Sequence, residues 1–211
     1  MSIQMQPEGL PDLAATYWFP LARRLTLPDS ILEWLVAAYE EPQRRYHNLA
    51  HIYEMLECLE ASVDLAKNPD SVALAVWFHD CIYDSPLPFG ENERLSADKL
   101  AELHAGKDSA AAQAMIRHSA CHEASDDPDI RLFCDLDLYR LGVDHETFQK
   151  HGADVRAEYA WVEEAEWTRK RNDFFRRFLE RPVIYQTDYW RDRLEKQARE
   201  NLTRTIAETA G

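Results

Sequence analysis

Residues 46–59 read Tyr-His-Asn-Leu-Ala-His-Ile-Tyr-Glu-Met-Leu-Glu-Cys-Leu. Ile52, Met55 and Leu59 recur at helical spacing, and Asn48 is a residue type that caps helix N-termini with its side-chain oxygen. The stretch therefore predicts a helix over 49–66. His47 and His51 stand four positions apart, and positions i and i+4 are neighbours on a helix face. The same stretch thus sets the local fold and places two imidazoles close together.

Working outward, the same reading repeats. Pro28-Asp29-Ser30 opens Ile31-Leu32-x-x-Leu35-Val36-x-x-Tyr39, and Pro42 closes it. Residues 10–24 form a weaker amphipathic segment in which Pro20 is expected to end or kink the helix. Asn68-Pro69-Asp70-Ser71 caps an apolar run through Val72, Leu74, Ala75, Phe78 and Ile82. Further helices are expected over 93–105, 108–121, 129–140, 144–165, 167–180 and 188–208. Residues 84–92 form the longest irregular stretch. With no convincing period-2 strand, repeat or linker, the expectation is one all-α domain spanning 1–211, its core within about 10–205.

The 211 residues are enough to bury a substantial core, and a 45% apolar share suits a soluble globular chain. The formal net charge of −14 argues against a nucleic-acid polymer as partner, because that binding rests on a basic phosphate-contacting surface. A phosphate group would have to be attracted locally, against the global field. Cys58, Cys81, Cys121 and Cys134 lack CxxC spacing and read as reduced thiols. No secretory signal and no membrane-length apolar run are visible, so a cytoplasmic protein without membrane association is expected.

The chemistry-bearing residues are few and ordered. His79-Asp80 follows His51 by 28 positions and ends the apolar run Val76-Trp77-Phe78. Aspartate in such a setting is rare unless paired or ligating. A third polar interruption, Cys134-Asp135-Leu136-Asp137-Leu138, supplies two more carboxylates on different helix faces. Imidazole nitrogens and carboxylate oxygens from separate helices are what a hydrolytic divalent-metal site needs.

The order His…His-Asp…Asp on helices resembles the HD superfamily of metal-dependent phosphohydrolases. Tyr46-His47-Asn48-x-x-His51 is also similar to a motif of the cyclic-nucleotide phosphodiesterases, a distant branch with a related helical core. The fuller set is Phe78-His79-Asp80, Asn92-Glu93-x-x-Ser96-Ala97, His122, Asp135-Leu136-Asp137-Leu138-x-x-Leu141-Gly142 and Ala198-Arg199-x-Asn201-Leu202. It resembles small stand-alone bacterial HD proteins, and the resemblance covers roughly residues 10–205.

That resemblance implies a phosphodiesterase-like helical bundle that hydrolyses a phosphate ester, such as a nucleotide or a related small phosphorylated metabolite. It implies a divalent metal (Mn, Fe, Co, Ni, Mg or Zn) held by His51, His79, Asp80 and Asp137. It favours Asp137 over Asp135 as the carboxylate ligand and leaves Asp135 to orient a histidine or cap a backbone. His47 is implied as the proton donor, a task suited to histidine. His122 and Glu93 are candidates for an outer shell or a second metal. Arg44 and Arg45 are candidates for binding the phosphate, since guanidinium forks match its oxygens. His118 is expected outside the site, and His104, His145 and His151, in polar surroundings, are expected at the surface. The competing readings are a non-hydrolytic, metal-binding nucleotide sensor and a di-iron oxygenase, which would need more histidine ligands. Oligomeric state is not legible in the sequence.

Overall fold

Helices form where a capping residue meets helically spaced apolar positions. In the computed structural model, residues 10–209 are described, and among them every regular element is helical. The all-α expectation is correct. The chain begins with α1 (Leu10–Leu13), a π-helical turn (Ala14–Trp18) and α2 (Phe19–Leu25). Pro20 does not end this segment. The Phe19 N–H bonds to the Ala14 carbonyl in the wider π pattern, and Pro20 sits in the first turn of α2, where a missing N–H is tolerated.

α3 (Ser30–Tyr39), α4 (Leu49–Ala61) and α5 (Pro69–Phe78) follow. Asn48 caps α4 as its residue type predicts, its side chain accepting from the Ala50 and His51 N–H groups. α4 is shorter than expected: Ser62 breaks it and a 3-10 turn covers Val63–Leu65. α5 is apolar all round, with Val72 and Leu74 through Phe78 fully buried, so it forms the axis of the bundle. α4, α6 (Glu91–Leu103), α7 (Lys107–Ser119) and α8 (Pro128–Asp137) pack around it. Buried apolar residues from Leu13 to Leu202 form one continuous cluster.

After a 3-10 turn at Tyr139–Gly142 come α9 (His145–Glu158), α10 (Glu164–Leu179) and α11 (Asp188–Thr209). The helix expected over 144–165 ends early, at Glu158. The Arg156 guanidinium binds the Tyr159 and Val162 carbonyls, so a side chain satisfies groups that a longer helix would have used. This break matters because it brings Glu158 to the site. Among the described residues, no helix is long and apolar enough to cross a membrane.

Candidate metal centre

Three elements bring the site together at their ends. α4 carries His51 in its first turn. α5 stops at Phe78, leaving His79 as its C-cap and Asp80 in the following turn. α8 ends on Asp137. One ligating atom from each of His51, His79 and Asp80 falls within 4.8 Å of the others, and all three side chains are buried. Asp137 joins them, with Oδ1 lying 3.3 Å from His51 Nε2 and 3.7 Å from His79 Nε2.

His79 places Nδ1 against the Val76 carbonyl at 2.9 Å, so Nδ1 carries the proton and Nε2 presents a lone pair. Nε2 lies 3.0 Å from Asp80 Oδ2 yet has no hydrogen-bond partner among the described residues. A lone pair facing two carboxylates in a buried pocket is a position that a cation or a proton can fill. Without a cation, the ring takes a proton: burial alone would depress its pKa, but Asp80, Asp137 and the Val76 carbonyl raise it to about 9. His51 is pushed down to about 4, chiefly by burial, and stays neutral as a ligand must. Asp80 and Asp137 are held ionised despite burial, Asp80 by His79 and His47, Asp137 by bonds from His122 and His51. Two neutral-capable imidazoles and two ionised carboxylates fit a hard-to-borderline divalent ion.

Asp135 serves elsewhere. It is fully buried and accepts from the Gln186 and Thr187 N–H groups, each at 2.7 Å, and from the Thr187 hydroxyl at 2.6 Å. It fixes the approach to α11, while Asp137 faces the histidines. His122 also reaches Asp137, with Nε2 2.8 Å from Oδ2. Its backbone is left-handed at φ 50°, uncommon for a non-glycine residue. Arg181 holds it there by donating to the His122 and Cys121 carbonyls. Glu93 is half-buried beside Asp80, Asp137 and His122, and burial raises its pKa. His118 turns away, engaging the Glu123 carbonyl through Nε2.

His47 departs from the expected placement. It lies in the bend before the Asn48 cap rather than on the helix, yet its ring centroid is 6.5 Å from that of His51. Glu158 holds this bend. One carboxylate oxygen accepts from the backbone N–H groups of Arg45, Tyr46 and His47 at 2.7, 2.7 and 3.0 Å. The other lies 2.5 Å from His47 Nδ1. Burial would raise the Glu158 pKa, but these donors lower it and keep the carboxylate charged. Tyr83 stacks on the His47 ring at 3.9 Å between centroids. Sequence reasoning did not single out Glu158, because a glutamate at a helix end carries no motif.

Arg44 and Arg45 part company. Arg44 is buried, and its guanidinium binds Glu41 together with the Asp80, Cys81 and His47 carbonyls. It braces the chain behind Asp80 and is not free to receive a phosphate, contrary to expectation. The Arg45 side chain is exposed. His151, expected at the surface, is buried against Tyr46, whose ring in turn packs on His51.

Comparison of this chain with protein-family models, with curated proteins and with solved structures finds no match.

Proposed function

We propose that this protein is a metal-dependent phosphohydrolase of the HD type, acting on a small phosphate ester. The observation that carries this reading is His79 Nε2, without a hydrogen-bond partner among the described residues and aimed at Asp80 and Asp137, with a separately oriented imidazole, His47, 6.5 Å from His51 between ring centroids. His51, His79, Asp80 and Asp137 would hold the divalent ion. When bound, such an ion polarises phosphoryl oxygens and lowers the pKa of a water molecule.

The chain's own residues supply the remaining work. Glu158 engages Nδ1 of His47, leaving Nε2 as the nitrogen that transfers a proton to the departing oxygen. Tyr83 fixes the plane of that ring. Arg45, exposed beside this bend, would receive phosphate oxygens. The non-hydrolytic sensor reading makes no use of the imidazole that Glu158 orients at His47, since a sensor needs ligands and no proton donor. The oxygenase reading loses a candidate ligand in His118, which is committed to a backbone carbonyl.

A panel of phosphate esters assayed with Mn²⁺, Co²⁺, Ni²⁺ or Mg²⁺, before and after chelation, tests the proposal. Hydrolysis that needs the metal and is lost in Asp80→Ala supports it. A protein that binds metal stoichiometrically yet hydrolyses no ester on the panel would favour the sensor.

A further inference from the structure

Asn92 and Ser96 stand four positions apart at the start of α6, so their side chains are neighbours on one face. Both reach the loop that follows His79-Asp80. The Ser96 hydroxyl accepts from the Ile82 N–H at 3.0 Å and donates to the Ile82 carbonyl at 3.2 Å. The Asn92 amide does the same two residues further on. Its Oδ1 accepts from the Asp84 N–H at 2.9 Å, and its Nδ2 donates to the Asp84 carbonyl at 3.2 Å. Ile82 and Asp84 lie outside any helix, and their N–H groups find partners in these two side chains instead of in a helical turn.

Tyr83 lies between the two clamped residues. With the backbone held on both sides, the direction in which its side chain leaves the loop is set. The ring stacks on His47 at 3.9 Å between centroids and 23° between planes, and its hydroxyl donates to the Tyr159 hydroxyl at 3.3 Å. The loop is also tied to the end of α9, where the Ser85 hydroxyl donates to the Glu158 carbonyl. The Glu158 carboxylate in turn engages Nδ1 of His47. One edge of the imidazole is thus held by a carboxylate, and one face by a ring whose backbone α6 fixes. A single hydrogen bond sets where Nδ1 points but leaves rotation about the bond axis, and a stacked ring removes that freedom.

We infer that Asn92 and Ser96 are positioning residues for proton transfer, acting on His47 through the Tyr83 ring that they hold against it. This inference rests on the phosphohydrolase reading and extends its proton-donor site to α6. A donor kept in one orientation stands nearer the geometry in which the proton moves, and small misplacements of such a group are costly.

Phenyl phosphate and p-nitrophenyl phosphate, assayed with Mn²⁺, separate this role from simple anchoring of the loop, because only the first has a leaving group that needs a proton. Asn92 is half-buried, so Asn92→Leu should fold. It should lower kcat for phenyl phosphate about tenfold, with KM, metal content and turnover of p-nitrophenyl phosphate near wild type. Tyr83→Ala should show the same split, and Tyr83→Phe should recover most of the loss. In a Tyr83→Ala or His47→Asn background, Asn92→Leu should have no further effect on kcat, since all three act through one imidazole. Equal losses on both esters, additive losses, or a lowered melting temperature with the kcat pattern intact overturn the inference and leave the hydrolase reading standing. Wild type that cleaves neither ester overturns that reading. The clamp is then decided by the ring-proton resonances of His47 in the Mg²⁺-loaded protein. Asn92→Leu should move them in the same direction as Tyr83→Ala, and unmoved resonances overturn the clamp as well.

Discussion

Glu158, the last residue of α9, places a carboxylate oxygen 2.5 Å from Nδ1 of His47, a residue 111 positions earlier. Its other oxygen ties down three successive backbone N–H groups, those of Arg45, Tyr46 and His47. One side chain thus shapes the bend and orients the imidazole on it. Glu158→Gln keeps the size but exchanges an anion for an amide. It should lower kcat on a phosphate ester by about 10- to 100-fold, with KM and metal content near wild type, and alter the pH profile of kcat. An unchanged profile with reduced thermal stability would make Glu158 a purely structural tether.

His47→Asn should retain metal but reduce kcat by about 10² to 10⁴, the range for a lost general acid. The loss should shrink for p-nitrophenyl esters, whose leaving group needs little protonation. Metal lost in parallel with activity would mean that His47 acts as a ligand or supports one.

The two aspartates of α8 should separate cleanly. Asp137→Ala should abolish stoichiometric metal binding in elemental analysis, because Asp137 faces His51, His79 and His122. Asp135→Ala should keep the metal and lower the stability by about 2–3 kcal/mol, since it strands the buried donors of Gln186 and Thr187. Melting curves paired with metal analysis check both, and the reverse pattern would exchange the two assignments.

Arg44 and Arg45 differ in the same way. Arg44→Met removes the donors to the Asp80 and Cys81 carbonyls and should cost about 3 kcal/mol of stability by denaturant titration. Arg45→Ala should leave stability within about 0.5 kcal/mol and raise KM for the ester. A destabilised Arg45→Ala with unchanged KM would remove Arg45 from phosphate binding.

His151 gives a pH test independent of the metal. Burial, then the charge of Arg140, lower its pKa from 6.5 to about 4. As pH falls through 6.5 the unfolded chain gains this proton, while the folded protein does not until about 4. Stability is therefore lost across that window as the solution is acidified. In His151→Phe the melting temperature should decline less than wild type between pH 6.5 and 4. Parallel curves would show that His151 titrates normally in the fold.

The sequence by itself determined the helical class, through caps such as Asn48 and Asn68 and the 3.6-residue spacing of apolar positions. It also marked His51, His79, Asp80 and the Asp135/Asp137 pair, because polar residues interrupting apolar runs are visible without a fold. Those signals are local, and local periodicity is what a sequence displays directly. Tertiary structure decided the rest: that Asp137 and not Asp135 meets the histidines, that Arg44 is consumed by backbone carbonyls, and that α9 stops at Glu158. Each depends on which groups from distant segments arrive to satisfy a buried donor, acceptor or charge. His47 shows the division most plainly. Its position four residues before His51 is read at once, but the force that aims its ring comes from a glutamate that only the folded chain brings near.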